Sequence, residues 1–374
     1  MHYLVKPLYL PFLFAIDLLG SICFFWTKLC RTPNSIKKIL VIRLDHAGDM
    51  LMTTPVFRAL KKEFPNAELC VLCRPFVKSL IENNKNVSQI FTLEVPWFKR
   101  NDSVSWCQTI KFLLNLRKQR FDFVFELHAD PRNIFAVFLV GGYRVGYSVR
   151  GFGFLLNKIA NYSAQKKHVI GRNLDVVRSI GADADSSLDF FLTVQDKNNI
   201  CKLLATHKVE KYILIHPFAG RPEKLWSLDS WAKLCSDLIK KYRTKIIFSG
   251  SSGDYEACES IKNLISERYK SFVLNFCGLL GDFKALGALI DKSKIVVSTD
   301  TVSVHLAHAL NKKLVSLFGA TDPAVWGYSS KKEISLYIKL ADSCSADCRN
   351  EAHRMKMIGQ ISVNDVLSAV EKLL

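Results

Sequence analysis

The sequence predicts an α/β protein built from two doubly wound domains, each a parallel sheet with crossover helices, preceded by an N-terminal apolar helix. Three observations carry that expectation. Short strand-like apolar runs alternate with helix-period segments from residue 37 onward, and the same alternation starts again after about residue 210. A chain of 374 residues with 49% hydrophobic content is also long enough to bury two cores. The expected division is residues 1–36 for a membrane-associated apolar helix, 37–200 for a first Rossmann-like domain and 201–374 for a second. The polar, poorly periodic stretch near 183–200 marks the approach to the boundary.

Taken in order, residues 8–27 ("LYLPFLFAIDLLGSICFFWT") come first, between Lys6 and Lys28, with Asp17 as their one charge. The length reaches the roughly 20 residues that a spanning helix needs. A central Asp costs about 2.5–3.5 kcal/mol in a bilayer, and Pro11 and Gly20 weaken the helix, so spanning and lying in the interface both stay open. No small-residue cleavage site follows, which argues against a removed signal peptide. Lys28, Arg31, Lys37 and Lys38 lie just beyond, and the positive-inside rule would keep the main body cytoplasmic if the segment spans.

"KKILVIRL", "AELCVLC", "VSQIFTLE" and "FDFVFELH" read as strands of the first domain, with "PVFRALKKEF", "FVKSLIEN" and "WCQTIKFLLNLRKQR" as the helices between them. In the second, "KYILIH", "KIIFS", "KIVVS" and "KLVSLF" are the strands, and "SWAKLCSDLIKKY", "YEACESIKNLI" and "VSVHLAHAL" the helices. "SVNDVLSAVEKLL" closes the chain as an amphipathic helix with Ser362 or Asn364 as its cap. There is no long-period repeat and no low-complexity segment.

Ligands of open α/β sheets gather at the carboxyl ends of the strands, and the unusual residues of this chain gather there too. The strand exits read "DHAGD", "PFAGRPEK", "GSSGD", "TDTVSVH" and "GATDP". Gly-rich turns and helix N-termini offer free backbone N–H groups to phosphate, yet neither a Walker A sequence nor a GxGxxG is present. The net charge of +18 points to anionic partners. Nucleic acid is not among those expected, because the basic residues are spread out and no zinc-finger spacing or RNP-like aromatic pattern accompanies them. The eleven scattered cysteines suit a reducing compartment, and Cys70 and Cys73 fall on opposite faces of a strand, which disfavours a metal clip.

Three segments carry a family resemblance. Residues 39–69, "ILVIRLDHAGDMLMTTPVFRALKKEFPNAEL", resemble the opening signature of the family 9 glycosyltransferases, the lipopolysaccharide heptosyltransferases. Residues 298–326, "STDTVSVHLAHALNKKLVSLFGATDPAVW", are similar to the second signature of that family, and "HPFAGRPEKLWSLDSWAKL" to the segment between them. The resemblance implies a GT-B fold whose first domain takes the acceptor and whose second takes the donor. It also implies an inverting, metal-independent transferase with no cofactor. The donor it implies is a nucleotide sugar such as ADP-heptose, and the acceptor an anionic lipid-linked glycan such as lipopolysaccharide core, at the cytoplasmic face of the bacterial inner membrane.

The same resemblance assigns roles. Asp49, expected in a loop of the interdomain cleft ahead of the helix that starts at Thr54 and Pro55, matches the catalytic general base, with His46 and Gly48 beside the acceptor. Lys224 matches the lysine on the donor phosphates. Asp300, Thr301, Ser303 and His305 match the donor-binding run, and Gly250 and Asp254 the nucleotide-contacting turn. Val302 stands where the family usually has glycine, and a β-branched residue there narrows backbone approach to the donor. The terminal helix is expected to cross back to the first domain, as in other GT-B proteins.

Two patterns imitate metal sites. Asp183 and Asp185 form an Asp-x-Asp, but in a connector away from any strand exit, which reads as a loop. Cys344, Cys348 and His353 have zinc-like spacing without an obvious fourth ligand. The alternatives to heptosyl transfer are transfer of another nucleotide sugar, or a GT-B protein that binds a nucleotide sugar without turnover.

Overall fold

The computed structural model describes residues 9–98, 104–163, 165–337 and 357–374. Two compact units divide the chain, Met1–Asp189 and Phe190–Leu374. The first holds a six-stranded sheet: β1 (Lys38–Arg43), β2 (Glu68–Cys73), β3 (Gln89–Thr92), β4 (Phe123–Glu126), β5 (Tyr143–Gly146) and β6 (Lys158–Ile159), in the spatial order β3-β2-β1-β4-β5-β6. Every neighbouring pair is parallel, with Ile42 of β1 in register with Leu72 of β2 and Glu126 of β4.

The second unit repeats the plan with β7 (Tyr212–His216), β8 (Lys245–Phe248), β9 (Val273–Asn275), β10 (Val296–Thr299), β11 (Leu314–Phe318) and β12 (Glu333–Tyr337), ordered β12-β11-β10-β7-β8-β9 and again all parallel. In both sheets the winding reverses beside the first strand, between β1 and β4 and between β7 and β10. Chains leave these strand pairs in opposite directions, which opens a crevice at their carboxyl ends.

Helices cover both faces of each sheet, so the strands are buried on two sides and appear in the sequence as unbroken apolar runs. Leu40 and Ile42 of β1, and Ile213 and Ile215 of β7, have no solvent exposure. Each such side chain contributes about 1.5–3 kcal/mol by leaving water. The first core gathers Leu40, Ile42, Cys70, Leu72, Val124 and Val137; the second gathers Ile213, Trp231, Leu238, Phe248, Val297 and Val370.

Several local expectations change. "DHAGD" is not a loop: residues Ala47–Leu51 form a short helix with His46 as its N-cap. The next helix starts at Thr54 with Thr53 as cap and Pro55 in its first turn, where a missing N–H costs nothing. "FVKSLIEN" forms a 3₁₀ turn, Pro75–Leu80, in place of an α-helix. Strands β5, β6, β9 and β12 were not singled out in the sequence, because two to five residues such as "KI" or "VLN" carry too little apolar pattern to be seen.

The expected boundary at 200/201 falls instead between Asp189 and Phe190. Helix Val194–Thr206, closed by a Thr193–Asp196 capping box, packs on helix Phe283–Lys292 of the second unit and takes residues 190–200 with it. The final helix, Val363–Leu373, is capped by Ser362 and packs on helix Leu228–Tyr242 and on β11 of its own unit. Residues Leu10–Cys23 form the N-terminal apolar helix, which lies against residues 151–156 of the first unit. Among the described residues, no helix is long and apolar enough to cross a membrane.

Candidate functional site

The polar residues that interrupt the apolar run at the end of β1 assemble around one guanidinium. Arg43, 3% exposed, donates from Nε to Asp45 Oδ1 at 2.8 Å and places Nη2 3.0 Å from Asp49 Oδ1. Its Nη1 reaches the Leu127 carbonyl at 3.1 Å and Asn173 Oδ1 at 3.3 Å. Burial opposes the Arg43 charge, but Asp45, Asp49 and Glu126 outweigh it, so its pKa is raised and it stays a cation. Arg43 is thereby locked by groups from β1, from the β4 exit and from helix Val169–Arg178.

Asp49 lies in the helix Ala47–Leu51 and is 8% exposed. Burial raises its pKa first, the nearby Asp45 charge adds to that, and Arg43, His128 and His46 pull it back. A carboxylate moved up toward neutrality is a better proton acceptor at working pH. Arg43 engages Oδ1, and among the described residues Oδ2 has no hydrogen-bond donor on it. This leaves one oxygen for a proton.

The β4 exit supplies the rest. Glu126 is fully buried and accepts from the His128 N–H at 2.9 Å, the Ala129 N–H at 2.7 Å and Asn133 Nδ2 at 3.3 Å. Burial still pushes its pKa up to about 7. Ala129 bends to φ 59°, a left-handed conformation that costs a non-glycine residue about 1–2 kcal/mol, and the bond to Glu126 holds it there. Burial, then the Arg43 charge, brings His128 down to about 4, so it is neutral at physiological pH. Its Nδ1 lies 3.9 Å from Asp45 Oδ2, and neither atom has a hydrogen-bond partner among the described residues. The Phe98 ring lies tilted against the His128 ring at 5.7 Å and meets His46 edge-on, and His46 is the exposed rim of the cluster. Gly48 sits within the short helix, half-buried.

In the second unit, Lys224 ends the turn Pro222–Lys224 after β7. Its Nζ donates to Asp300 Oδ2 at 2.5 Å and reaches the Asp300 carbonyl at 3.3 Å. The same Asp300 oxygen accepts from Thr321 Oγ1 at 2.6 Å, which joins the exits of β7, β10 and β11 at one carboxylate. Asp300 is 5% exposed. Thr301 is the N-cap of helix Val302–Ala309, with its hydroxyl 3.2 Å from Ser298 Oγ and not spent on the helix. Ser303 Oγ, in the first turn, is buried without a partner among the described residues. Free N–H groups, a lysine and an unpaired hydroxyl at a helix start form an anion-binding arrangement.

Val302 opens this helix with ordinary backbone geometry, so no strain marks the substitution. His305 turns inward, with Nδ1 2.9 Å from Tyr328 Oη. Tyr328 in turn stacks on His308, which is paired to Glu333. Gly250 and Asp254 form a closed turn: the Asp254 carboxylate accepts from both the N–H and hydroxyl of Ser251 at 2.7 Å. A Cβ at Gly250 would stand 2.9 Å from Asp254 Oδ2 and 3.0 Å from Cys277 Sγ, so a larger residue there would have to push these side chains aside. Beside it, His216 faces Ser249 Oγ at 3.0 Å, and burial lowers its pKa to about 4.

The sequence reading named Asp49, Lys224 and Asp300 but missed Arg43, Asp45, Glu126, His128 and Thr321. A charged residue inside the run "ILVIRL" was the one available signal for the first group. Asp183 pairs with Arg178 at 2.8 Å and Asp185 with Arg58 at 3.1 Å, which occupies both carboxylates of the Asp-x-Asp. Cys344, Cys348 and His353 lie outside the described residues. Among the described residues, no group of three or more His, Cys, Asp or Glu side chains is arranged to hold a metal ion.

The model of glycosyltransferase family 9 (heptosyltransferase) matches residues 109–357. Lipopolysaccharide heptosyltransferase 3 of Escherichia coli is 26% identical over 335 residues, covering 87% of this chain and 96% of that protein. Among solved structures, the family 9 glycosyl transferase of Veillonella parvula superposes with a TM-score of 0.78 at 18% identity, covering 92% of this chain and 99% of the other. The Escherichia coli ADP-heptose lps heptosyltransferase II gives a TM-score of 0.73 at 22% identity, covering 90% and 98%. The two doubly wound units are those of the GT-B fold.

Proposed function

The chain belongs to glycosyltransferase family 9, and from that premise we propose that it moves a heptose from ADP-heptose to a lipopolysaccharide core or related lipid-linked glycan, with inversion and without a catalytic metal. The observation that carries the reading is Asp49 itself: a buried carboxylate with a raised pKa, held on one oxygen by Arg43 and, among the described residues, with no donor on the other. In the reaction Asp49 takes the proton of an acceptor hydroxyl as that oxygen attacks the anomeric carbon. The bond from that carbon to the diphosphate oxygen breaks, its electron pair leaves with ADP, and the single displacement inverts the centre. Proton removal of this kind is worth about 10²–10⁴ in rate.

Lys224 and the N-terminus of helix Val302–Ala309 answer the charge that builds on the leaving diphosphate. Asp300, gripped by Lys224 and Thr321, is rigid enough to receive sugar or ribose hydroxyls. Thr301 and Ser303 supply hydroxyls to the phosphates, and His305 holds the helix in place through Tyr328. The acceptor is lipid-linked and anionic, which agrees with the net charge of +18 and with an enzyme working at the cytoplasmic face of a membrane.

The test is ADP release from ADP-heptose with truncated lipopolysaccharide as acceptor, alongside the same assay with other nucleotide sugars. Acceptor-dependent release with ADP-heptose, retained in chelator and lost in Asp49→Asn, is the expected result. Donor binding without release from any acceptor would defeat the reading.

A further inference from the structure

The helix Leu10–Cys23 has its polarity inside out. Its inward stripe recurs at helical spacing through Leu13, Asp17, Gly20 and Phe24 and runs on to Thr27 and Lys28, and it carries the polar groups. Asp17 Oδ1 accepts from the Phe152 N–H at 2.8 Å, and Thr27 Oγ1 donates to the Phe154 carbonyl at 2.7 Å. Lys28 Nζ donates to the carbonyls of Gly153 and Leu156, and Asn157 Nδ2 donates to the Thr27 carbonyl. Gly20 is flush with the Phe154 ring, where a Cβ would meet carbon at 2.5 Å. The outward side is apolar: Phe12, Leu18, Leu19, Ile22, Phe25 and Leu29 are each between 61% and 71% exposed. A helix that faces water shows the opposite pattern.

We propose that this helix and the turn after it are an in-plane docking surface for an anionic bilayer, bound within the interface without crossing it. The proposal rests on the membrane setting of the function above and refines it. Length opposes the alternative orientation: the 14 helical residues among those described span about 21 Å, against about 30 Å of hydrocarbon. So does Asp17, whose charge is spent on the loop at 152; to span, the helix would have to leave that loop and carry a carboxylate into lipid. Charge selects the partner. Residues 1–38 hold one acidic residue, Asp17, against Lys6, Lys28, Arg31, Lys37 and Lys38, and Arg31 and Lys37 are exposed in the segment that follows the helix. A second copy of a chain carrying +18 meets that surface with like charge, whereas anionic headgroups complement it.

The experiment floats the full-length protein with phosphatidylglycerol-containing vesicles and with phosphatidylcholine vesicles. Wild type is expected to float with the anionic vesicles, and F12S/L19S/F25S to lose that binding by about tenfold or more. The triple variant should keep its melting temperature, its affinity for ADP and its turnover on a deacylated, soluble acceptor. R31E/K37E should lose the preference for anionic lipid. Tyr9→Cys and the native Cys30 should react with an impermeant maleimide from the same side of sealed vesicles. Labelling of Tyr9→Cys from the opposite side would establish a span and overturn the proposal. Absence of flotation would also overturn it, as would a concentration-dependent dimer that the triple variant abolishes. Turnover on the soluble acceptor reports on the transferase reading separately, so either can fail without the other.

Discussion

Replacing Asp49 by asparagine conserves the shape of the side chain and removes one buried charge, so its effects on rate and on stability should have opposite signs. Arg43 keeps Asp45 at 2.8 Å, the Leu127 carbonyl at 3.1 Å and Asn173 at 3.3 Å, and is not orphaned by the change. The folded-state pKa of Asp49 is raised, first by burial and then by the Asp45 charge. A raised carboxylate contributes stability that is fully present below its unfolded pKa and is lost as pH rises through the folded value. Above that folded value, then, ionised Asp49 is a net cost to the fold. Asp49→Asn should melt at the same temperature as wild type or higher at about pH 8, with the difference closing near pH 4. Activity moves the other way. Loss of a general base lowers kcat by about 10²–10⁴, or ~2.7–5.4 kcal/mol at 1.36 kcal/mol per tenfold. The Km for donor should hold, because the residues proposed for the donor belong to the second unit. Steady-state ADP release and thermal melting across pH measure both. A kcat within threefold of wild type, with a melting temperature several degrees lower, would make Asp49 a structural residue and refute the reasoning.

Glu126 makes a second pH prediction: with a pKa of about 7 against 4.5 when unperturbed, it should make denaturant-measured stability fall between about pH 5 and pH 8. Glu126→Gln should flatten that slope whatever it does to the absolute value. Lys224→Met leaves Asp300 with Thr321 alone and removes the cation proposed for the phosphates, so calorimetric affinity for ADP should fall about 10- to 100-fold. Undiminished ADP binding would place the diphosphate elsewhere. Val302→Gly should lower stability by up to ~1 kcal/mol through helix propensity and leave the donor Km within about twofold, because Val302 already sits in unstrained helical backbone. A large fall in that Km would mean the valine side chain does obstruct the donor.

The strands at the centre of both sheets were readable because a parallel sheet is covered on two faces, and that doubles the apolar signal per residue. β1 and β7 are examples, whereas the short edge strands β6 and β9 are not, having too few residues for a pattern. The turn residues that leave these strands were readable for a related reason. Glycine, aspartate and threonine stand out against an apolar run, so Asp49, Lys224 and Asp300 could be picked as candidates for the site. Gly250 and Asp254 could be picked as well, but the pair closes its own turn through Ser251.

What the sequence determined by itself is therefore local and periodic: the alternation that dictates two doubly wound sheets, the strand exits where polar residues collect, and the signatures that mark the family. Only the tertiary structure decided which polar residues act together. Arg43 meets Leu127 across 84 positions and Asn173 across 130, and Asp17 meets Phe152 across 135. No spacing in the chain encodes those pairings. They arise because a parallel sheet returns distant strands to the same edge, where burial strips water from charged groups and makes each one's protonation depend on the neighbours that the fold supplies.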